Sequence, residues 1–307
     1  MYNKENRNIL ITGSNGFIGN HVANYFKKNG YYVIGLGRSI EPFDANSVNE
    51  YISCDMNSGK MSQLPQLVSV NIDAVIHLAA DMRKEPFGVD VISANCCGTQ
   101  RLLEMCEQNG IKTFLQLSSL PVIGHPINHP ITEEHPLHPY TIYHITKKTE
   151  EMLAEYACTY HGIRTASFRI SAPIGPRVNP KTIFPTFVRN ALAGKDLVLL
   201  GQGARKQNYV SVKDIARCLE LSLLSPQVCG VYNLTSDILV SNLELAQAII
   251  RVLNSNSKII FNGEDPQDTY IWDASLQKLK EASGYQPTAT LDGMIQEYAS
   301  WLGTHQS

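Results

Sequence analysis

An apolar strand that runs straight into regularly spaced glycines and then into a helix start constrains this chain more than any other feature. The segment reads Ile9-Leu10-Ile11-Thr12-Gly13-Ser14-Asn15-Gly16-Phe17-Ile18-Gly19, with glycines at GxxGxxG spacing. Gly13 permits a tight turn, Gly16 lets a backbone approach a pyrophosphate, and Gly19 lets the helix pack closely on the strand, while the helix N-terminus attracts the anion. Gly13, Asn15, Gly16, Phe17, Ile18 and Gly19 are therefore read as a dinucleotide-phosphate turn. The bland alternative is a structural turn without a ligand, and the strand before it and helix after it weigh against that.

From Ile9 onward, branched apolar runs alternate with stretches of helical period, as in a doubly wound α/β chain with a parallel sheet. Strands are expected at Ile9 to Thr12, Tyr32 to Leu36, Tyr51 to Cys54, Ala74 to His77, Thr113 to Ser118 and Arg164 to Ile170. Helices are expected from Gly19 to Asn29, Asn95 to Asn109 and Tyr143 to His161, each followed by a glycine stop signal. Four prolines between Val122 and Pro139 make that stretch a loop. Beyond Ile170, Pro173, Pro176, Pro180 and Pro185 rule out one continuous helix or central strand. This break divides the chain into a Rossmann-type dinucleotide-binding domain over 1–172 and a smaller α/β, mainly substrate-binding domain over 173–307, with segments near 209–235 returning to the first. Later helices are expected at Asp214 to Leu224, Leu243 to Leu253, Leu276 to Ala282 and Leu291 to Leu302, with a strand at Val231 to Leu234.

The charge balance supports a small-molecule partner. Lys and Arg number 26 against 28 Asp and Glu, a formal charge of -2, which offers nucleic acid or an anionic membrane no broad positive field. No apolar run approaches the roughly 18 residues that cross a bilayer. Met1 to Asn8 are polar and carry no secretory pattern, and the seven cysteines are scattered without a C-x-x-C pair. The expectation is a soluble, cytoplasmic chain with reduced thiols and no metal site, the histidines near His125 to His144 being irregularly spaced.

At the end of the second strand, the acid that would hold the adenosine ribose of NAD is missing, and Arg38 and Ser39 stand there instead. That pair suits a 2′-phosphate, so NADP is favoured over NAD. Stacking on adenine or a solvated surface role remains open for Arg38. Asp55, with Met56 beside it, is a candidate for the adenine amino group or a turn residue. Tyr143 and Lys147 form Tyr-x-x-x-Lys on one helix face, downstream of Ser118 and Ser119 at a strand end. Half-ionising a tyrosine at neutral pH requires about 3 units, or about 4 kcal/mol. An ammonium about 5 Å away, at an effective dielectric near 20, supplies on the order of 3 kcal/mol. Lysine therefore makes Tyr143 a workable acid or base, while Ser119 orients the substrate oxygen.

These residues resemble the extended short-chain dehydrogenase/reductase family, in its branch of nucleotide-sugar epimerases, dehydratases and ketoreductases. The resemblance extends to His77-Leu78-Ala79-Ala80, Asn95-Cys96-Cys97-Gly98-Thr99, Gly110-Ile111-Lys112, Thr132-Glu133-Glu134-His135-Pro136, and Gly201-Gln202-Gly203 with Tyr209-Val210-Ser211-Val212-Lys213-Asp214. It implies cofactor contacts at Leu78, Ala79, Ala80, Tyr143, Lys147, Ile170 and Ala172, and selects Ser119 as the catalytic serine. It implies substrate contacts at Asp81, Ser119, Leu120, Tyr143, Ala172, Phe184 and Arg205, with Met82 and Tyr140 as weaker candidates. It also implies a homodimer. Leu120 and Pro121 replace the Asp-Glu pair of dehydratases, Ala172 and Ile174 replace the usual asparagine and tyrosine, and Gln207 and Asn208 replace Arg-Asp. The reading is NAD(P)-dependent hydride transfer on a nucleotide sugar by an epimerase or 4-ketoreductase. The alternatives are an NADPH-dependent reductase of a small carbonyl or alcohol, and a non-catalytic dinucleotide-sensing protein.

Overall fold

Unbroken apolar runs become strands buried on both faces, and in this chain they form one parallel sheet with helices on either side. The computed structural model describes residues 7–83 and 87–305. β1 (Asn8–Thr12) leads into α1 (Phe17–Lys28), followed by β2 (Tyr32–Gly37), β3 (Glu50–Ser53) and β4 (Ala74–His77). A helical run then opens as α2 (Val89–Ile92), passes through a π turn at Ser93–Cys97 and continues as α3 (Gly98–Gln108). β5 (Thr113–Ser119), α4 (Ile142–His161) and β6 (Arg164–Ile170) complete the first part. The chain continues through β7 (Ala172–Ile174), α5 (Ile183–Leu192), β8 (Leu197–Leu200), β9 (Lys206–Ser211), α6 (Val212–Leu224) and β10 (Gly230–Leu234). It closes with β11 (Leu239–Ser241), α7 (Asn242–Leu253), β12 (Ile259–Asn262), β13 (Ile271–Trp272), α8 (Gln277–Ser283) and α9 (Leu291–His305).

The main sheet has seven parallel strands in the order β10-β6-β5-β4-β1-β2-β3. Its strand order reverses between β1 and β4, which is where such sheets open a ligand crevice at their C-terminal ends. β10 comes from late in the chain and pairs with β6, Val231 opposite Ser167 and Leu234 opposite Ile170. A smaller sheet places β9 between β11 and β13, with β7 also on β9, and β8 pairs with β12. Separate apolar cores lie on the two faces of the large sheet and under the smaller one.

One sequence expectation needs correction and two gain detail. The helix expected from Asn95 begins at Val89 and contains the π turn, because Asn95 is drawn inward to bond Asp81. The proline-spaced stretch after Ile170 holds β7 and α5, with Pro185 in the first turn of α5, where its missing N–H has no partner to lose. The scattered cysteines include one close pair, Cys158 and Cys229, with sulfurs 3.2 Å apart.

At the point of strand reversal a buried chain of side chains joins β1, β4 and α3. Thr12 Oγ1 accepts from the Leu78 and Ala79 amides at 3.1 and 3.2 Å, so its own proton goes to His77 Nδ1 at 2.7 Å. His77 Nε2 then carries the ring proton and donates to Thr99 Oγ1 at 3.0 Å. Burial, with the nearby Lys147 charge adding to it, pushes the imidazole down from 6.5 to about 3. Because the folded value lies below the unfolded one, this neutral histidine contributes stability above pH 6.5 that is lost as pH falls toward 3. The predicted loss over that window is on the order of a few kcal/mol. Urea unfolding across a pH series checks it: His77→Asn should flatten the acid-side slope, and a slope identical to wild type would refute this assignment.

Candidate active site

Two backbones come together at the C-terminal ends of β1 and β4 more closely than side chains allow. Gly13 turns with φ +69°, and a Cβ there would meet the Ala79 amide nitrogen at 2.7 Å. A Cβ on Gly19 would lie 2.0 Å from Gly13 O, and one on Gly16 would lie 3.0 Å from the same oxygen. The Gly13 amide bonds Leu36 O at 2.7 Å, fastening the turn to the end of β2. The result is a glycine cradle at the start of α1 with Gly16 exposed, a place where backbone amides could receive a pyrophosphate.

The cradle opens into a cleft of about 320 Å³. Of the residues singled out in the sequence, Gly13, Asn15, Gly16, Arg38, Ser39, Asp55, Met56, Leu78, Ala79, Ala80 and Asp81 all line it. Sequence reasoning missed Leu36, Gly37, Cys54, Ala94 and Asn95 on the same wall. Asn95 had a signal in the motif that opens its helix: its amide accepts from Asp81 N at 2.7 Å and donates to Asp81 O and Thr146 Oγ1, both at 2.9 Å. It thereby ties the cleft floor to α4.

The loop after β2 is shaped by Asn15 and Tyr51. Asn15 donates to Glu41 O at 2.9 Å and to Tyr51 Oη at 3.1 Å, and accepts from Phe43 N at 2.9 Å. Tyr51 Oη donates onward to Ser39 O at 3.1 Å. A Cβ on Gly37 would fall 2.7 Å from that hydroxyl, so a side chain at this position requires Tyr51 to shift. Arg38 and Ser39 are exposed at the cleft edge. Asp55 Oδ1 accepts from Asn57 N at 2.9 Å and so shapes its turn as well as the cleft wall. Asp81 is buried and its carboxylate is gripped by Arg83 through Nε and Nη2, which holds it below the ordinary carboxylate range.

The Tyr-Lys helix is pinned to β5 by buried polar bonds. Gln116 donates to Glu150 O at 2.9 Å, Ser118 to Glu151 Oε1 at 2.6 Å, and Lys147 Nζ to Leu117 O at 3.0 Å. Strand alternation separates the two serines: Ser118 is buried against Glu151, while Ser119 is partly exposed at the strand end, level with Ile170 of β6. Lys147 Nζ lies 5.9 Å from the Tyr143 ring centroid. Burial raises the Tyr143 phenol above its ordinary value, Lys147 pulls it down and Glu150 pushes it up, so desolvation outweighs the lysine field expected from sequence.

Two substrate candidates are corrected by packing. Phe184 is 1% exposed in the second core, its ring 6.2 Å from that of Tyr209 and 5.8 Å from that of Tyr298. Leu120 is 2% exposed in a single turn of 3-10 helix, packed with Val122, Ile123, Ile131 and Trp272. Neither side chain faces a cleft; apolar type alone does not distinguish a wall from a core. Phe17 and Ile18 likewise pack on the two cores beside the cradle. Ile170 ends β6, and Ala172 is partly exposed on β7 opposite Tyr209. Arg205 sits just before β9, its buried Nε without a hydrogen-bond partner.

A family model described as the NAD dependent epimerase/dehydratase family matches residues 9–234. The chain is 27% identical over 94% of its length to a trifunctional UDP-glucose 4,6-dehydratase/UDP-4-keto-6-deoxy-D-glucose 3,5-epimerase/UDP-4-keto-L-rhamnose-reductase of Arabidopsis thaliana, and it spans 46% of that longer protein. It is 26% identical to a low-salt glycan biosynthesis protein of Haloferax volcanii, over 91% of this chain and 93% of that protein. In three dimensions it matches a UDP-glucose 4-epimerase of Thermotoga maritima with a TM-score of 0.87 at 23% identity, covering 98% of this chain and 100% of the other, which establishes a shared fold.

The cradle predicts that Gly13→Ala loses at least about 2 kcal/mol of stability, because the left-handed turn and the Ala79 contact are both violated. Denaturant midpoints and dinucleotide titration check this, and a variant that keeps both would show that the close approach is dispensable.

Proposed function

From the premise that the chain belongs to the NAD dependent epimerase/dehydratase family, we propose that it acts on a nucleotide-activated sugar as an epimerase or 4-ketoreductase. The observation that supports this reading is the pinning of α4 to β5, where Ser118 donates to Glu151, Lys147 Nζ donates to Leu117 O two residues before Ser119, and the same Nζ lies 5.9 Å from the Tyr143 ring centroid. Tyr143 exchanges the proton of a sugar hydroxyl, Lys147 supplies the positive field and grips the nicotinamide ribose, and Ser119 holds the sugar oxygen. The cofactor, when bound, accepts or returns the hydride. Gly13, Gly16 and the Leu78 to Ala80 backbone hold its pyrophosphate half, and the glycine cradle fits that group. Dehydration is disfavoured, since Leu120 and Pro121 cannot carry a proton where an acid-base pair is required.

NADP is favoured over NAD in this reading. Arg38 and Ser39 lie exposed at the cleft edge, and a side chain at position 37 would have to displace the Tyr51 hydroxyl. The division into 1–172 and 173–307, with α6 and β10 returning to the large sheet, is likewise part of the proposal. So is a cytoplasmic homodimer: Ile145, Met152, Tyr156 and Tyr160 form an exposed apolar stripe along α4.

A second reading, an NADPH-dependent reductase of a small carbonyl without a nucleotide handle, is favoured by residues 207 and 208. Gln207 donates to Tyr209 Oη at 2.6 Å, while the buried Asn208 bonds Ser236 O and Ala274 N, so both amides serve the fold. Turnover or thermal stabilisation with UDP-, GDP-, CDP- or dTDP-sugars supports the first reading; silence with all four, together with NADPH oxidation by simple ketones, replaces it with the second. Tyr143→Phe is expected to lower kcat by about 10²- to 10⁴-fold while sugar-nucleotide binding persists. Arg38→Ala should weaken NADPH binding more than NADH binding, as read by fluorescence titration, and equal losses would remove the phosphate role.

A further inference from the structure

Lys147 faces two acids inside the protein. Its ammonium donates to Glu150 Oε2 at 2.8 Å, and the Tyr143 ring lies 5.9 Å away. Glu150 sits one turn further along α4 with its side chain 1% exposed, and its buried Oε1 has no hydrogen-bond partner. The adjacent Glu151 is differently placed. Arg169 of β6 grips both its oxygens at 2.9 Å, Ser118 donates to it at 2.6 Å, and Lys148 lies 3.7 Å away. Glu151 thus has bonded partners of its own, although its charge also reaches Lys147 and Glu150, whereas the cation bonded to Glu150 is Lys147.

We propose that Glu150 is a positioning residue for the acid-base step: it shares the single Lys147 cation with Tyr143, so that ionisation of either acid suppresses ionisation of the other. This rests on the reading of Tyr143 as the proton-exchanging group. Two negative charges beside one ammonium in a dry site repel each other and titrate as a pair rather than as independent groups. With Glu150 ionised, much of the lysine field is spent on it and the phenol holds its proton; with Glu150 protonated, the field acts on Tyr143. Burial lifts the Glu150 carboxyl to about 7, so its charge, and with it the net field at Tyr143, changes within the physiological range.

The surrounding titratable groups do not take over the role. Cys96, on the π turn against α4, is pushed up to about 11 by burial and by Glu150 itself, and so stays a neutral thiol. His77 on β4 is kept neutral, Arg169 on β6 is committed to Glu151, and β5 presents the uncharged Gln116 and Ser118. Lys148 on α4 lies toward Glu151.

The test follows tyrosinate absorbance of the full chain against pH, with Tyr143→Phe in the same background as the blank. Glu150→Gln, of the same size and without the charge, should shift the Tyr143 titration down by about one pH unit or more, while Glu150→Asp should stay near wild type. A glutamine curve superimposed on wild type overturns the proposal and leaves Glu150 a space-filling residue. Should the glutamine variant not fold, carbon-13 spectra of labelled glutamates in the wild type decide. A buried carboxyl titrating near neutrality is expected, and carboxyls all confined to the ordinary acidic range overturn the proposal. No substrate enters these measurements, so their outcome is separate from that of the functional reading. If the shift is present and Tyr143→Phe remains fully active on every substrate, the functional reading falls and the charge coupling stands.

Discussion

The cleft exists because the turn at Gly13 and the exit of β4 at Ala79 pass within a distance that no Cβ tolerates. Everything at the C-terminal edge of the large sheet is arranged around that approach. It lets α1 start directly after the turn at the edge of the cleft, and a helix N-terminus is a general place for an anion to bind. It also brings the Leu78 and Ala79 amides within reach of Thr12, whose hydroxyl then fixes His77 as a neutral ring. A side chain added at Gly13 would push the turn away from the exit of β4, and one added at Gly19 would push α1 away from the turn.

A second level of organisation is polar and buried. Besides the apolar packing of Leu153 and Ala157, α4 is held by bonds from Gln116, Ser118 and Arg169 to its groups, and by the Asn95 amide that joins Thr146 to the cleft floor. Such bonds have directional requirements that apolar contacts lack, so they fix the rotation of the helix about its axis as well as its distance from the sheet. Rotation decides whether Tyr143 meets the strand end or the solvent.

Much of this architecture is legible in the chain. Fully buried parallel strands leave unbroken apolar runs, and β1, β4 and β6 coincide with theirs to within a residue. The glycine spacing likewise states a requirement for close approach that the geometry meets. The smaller sheet is less legible. β9 begins Lys206-Gln207-Asn208, β13 is two residues long, and both are held by partners distant in sequence rather than by local pattern. α5 is hidden by Pro185, a helix breaker by type but tolerated in a first turn. Phe184 and Leu120 show the limit at the site, since an apolar residue looks the same on a cleft wall and in a core. Glu150 is the converse case. In the sequence it matches Glu151 and reads as an exposed helical acid; only the burial of that helix face, and the assignment of Arg169 to its neighbour, distinguish the two.

The long stretch between β5 and α4 does more than connect them. Ile131 bridges to Ala274 beside β13, its carbonyl accepts from Asn233 of β10, and Glu133 accepts from the Asn233 amide while its own carbonyl accepts from Arg169 of β6. One segment is therefore laced to both sheets at once. Rocking of one sheet away from the other about a free hinge would tear these bonds. A separation of the two sheets therefore costs the bonds this one segment makes to both.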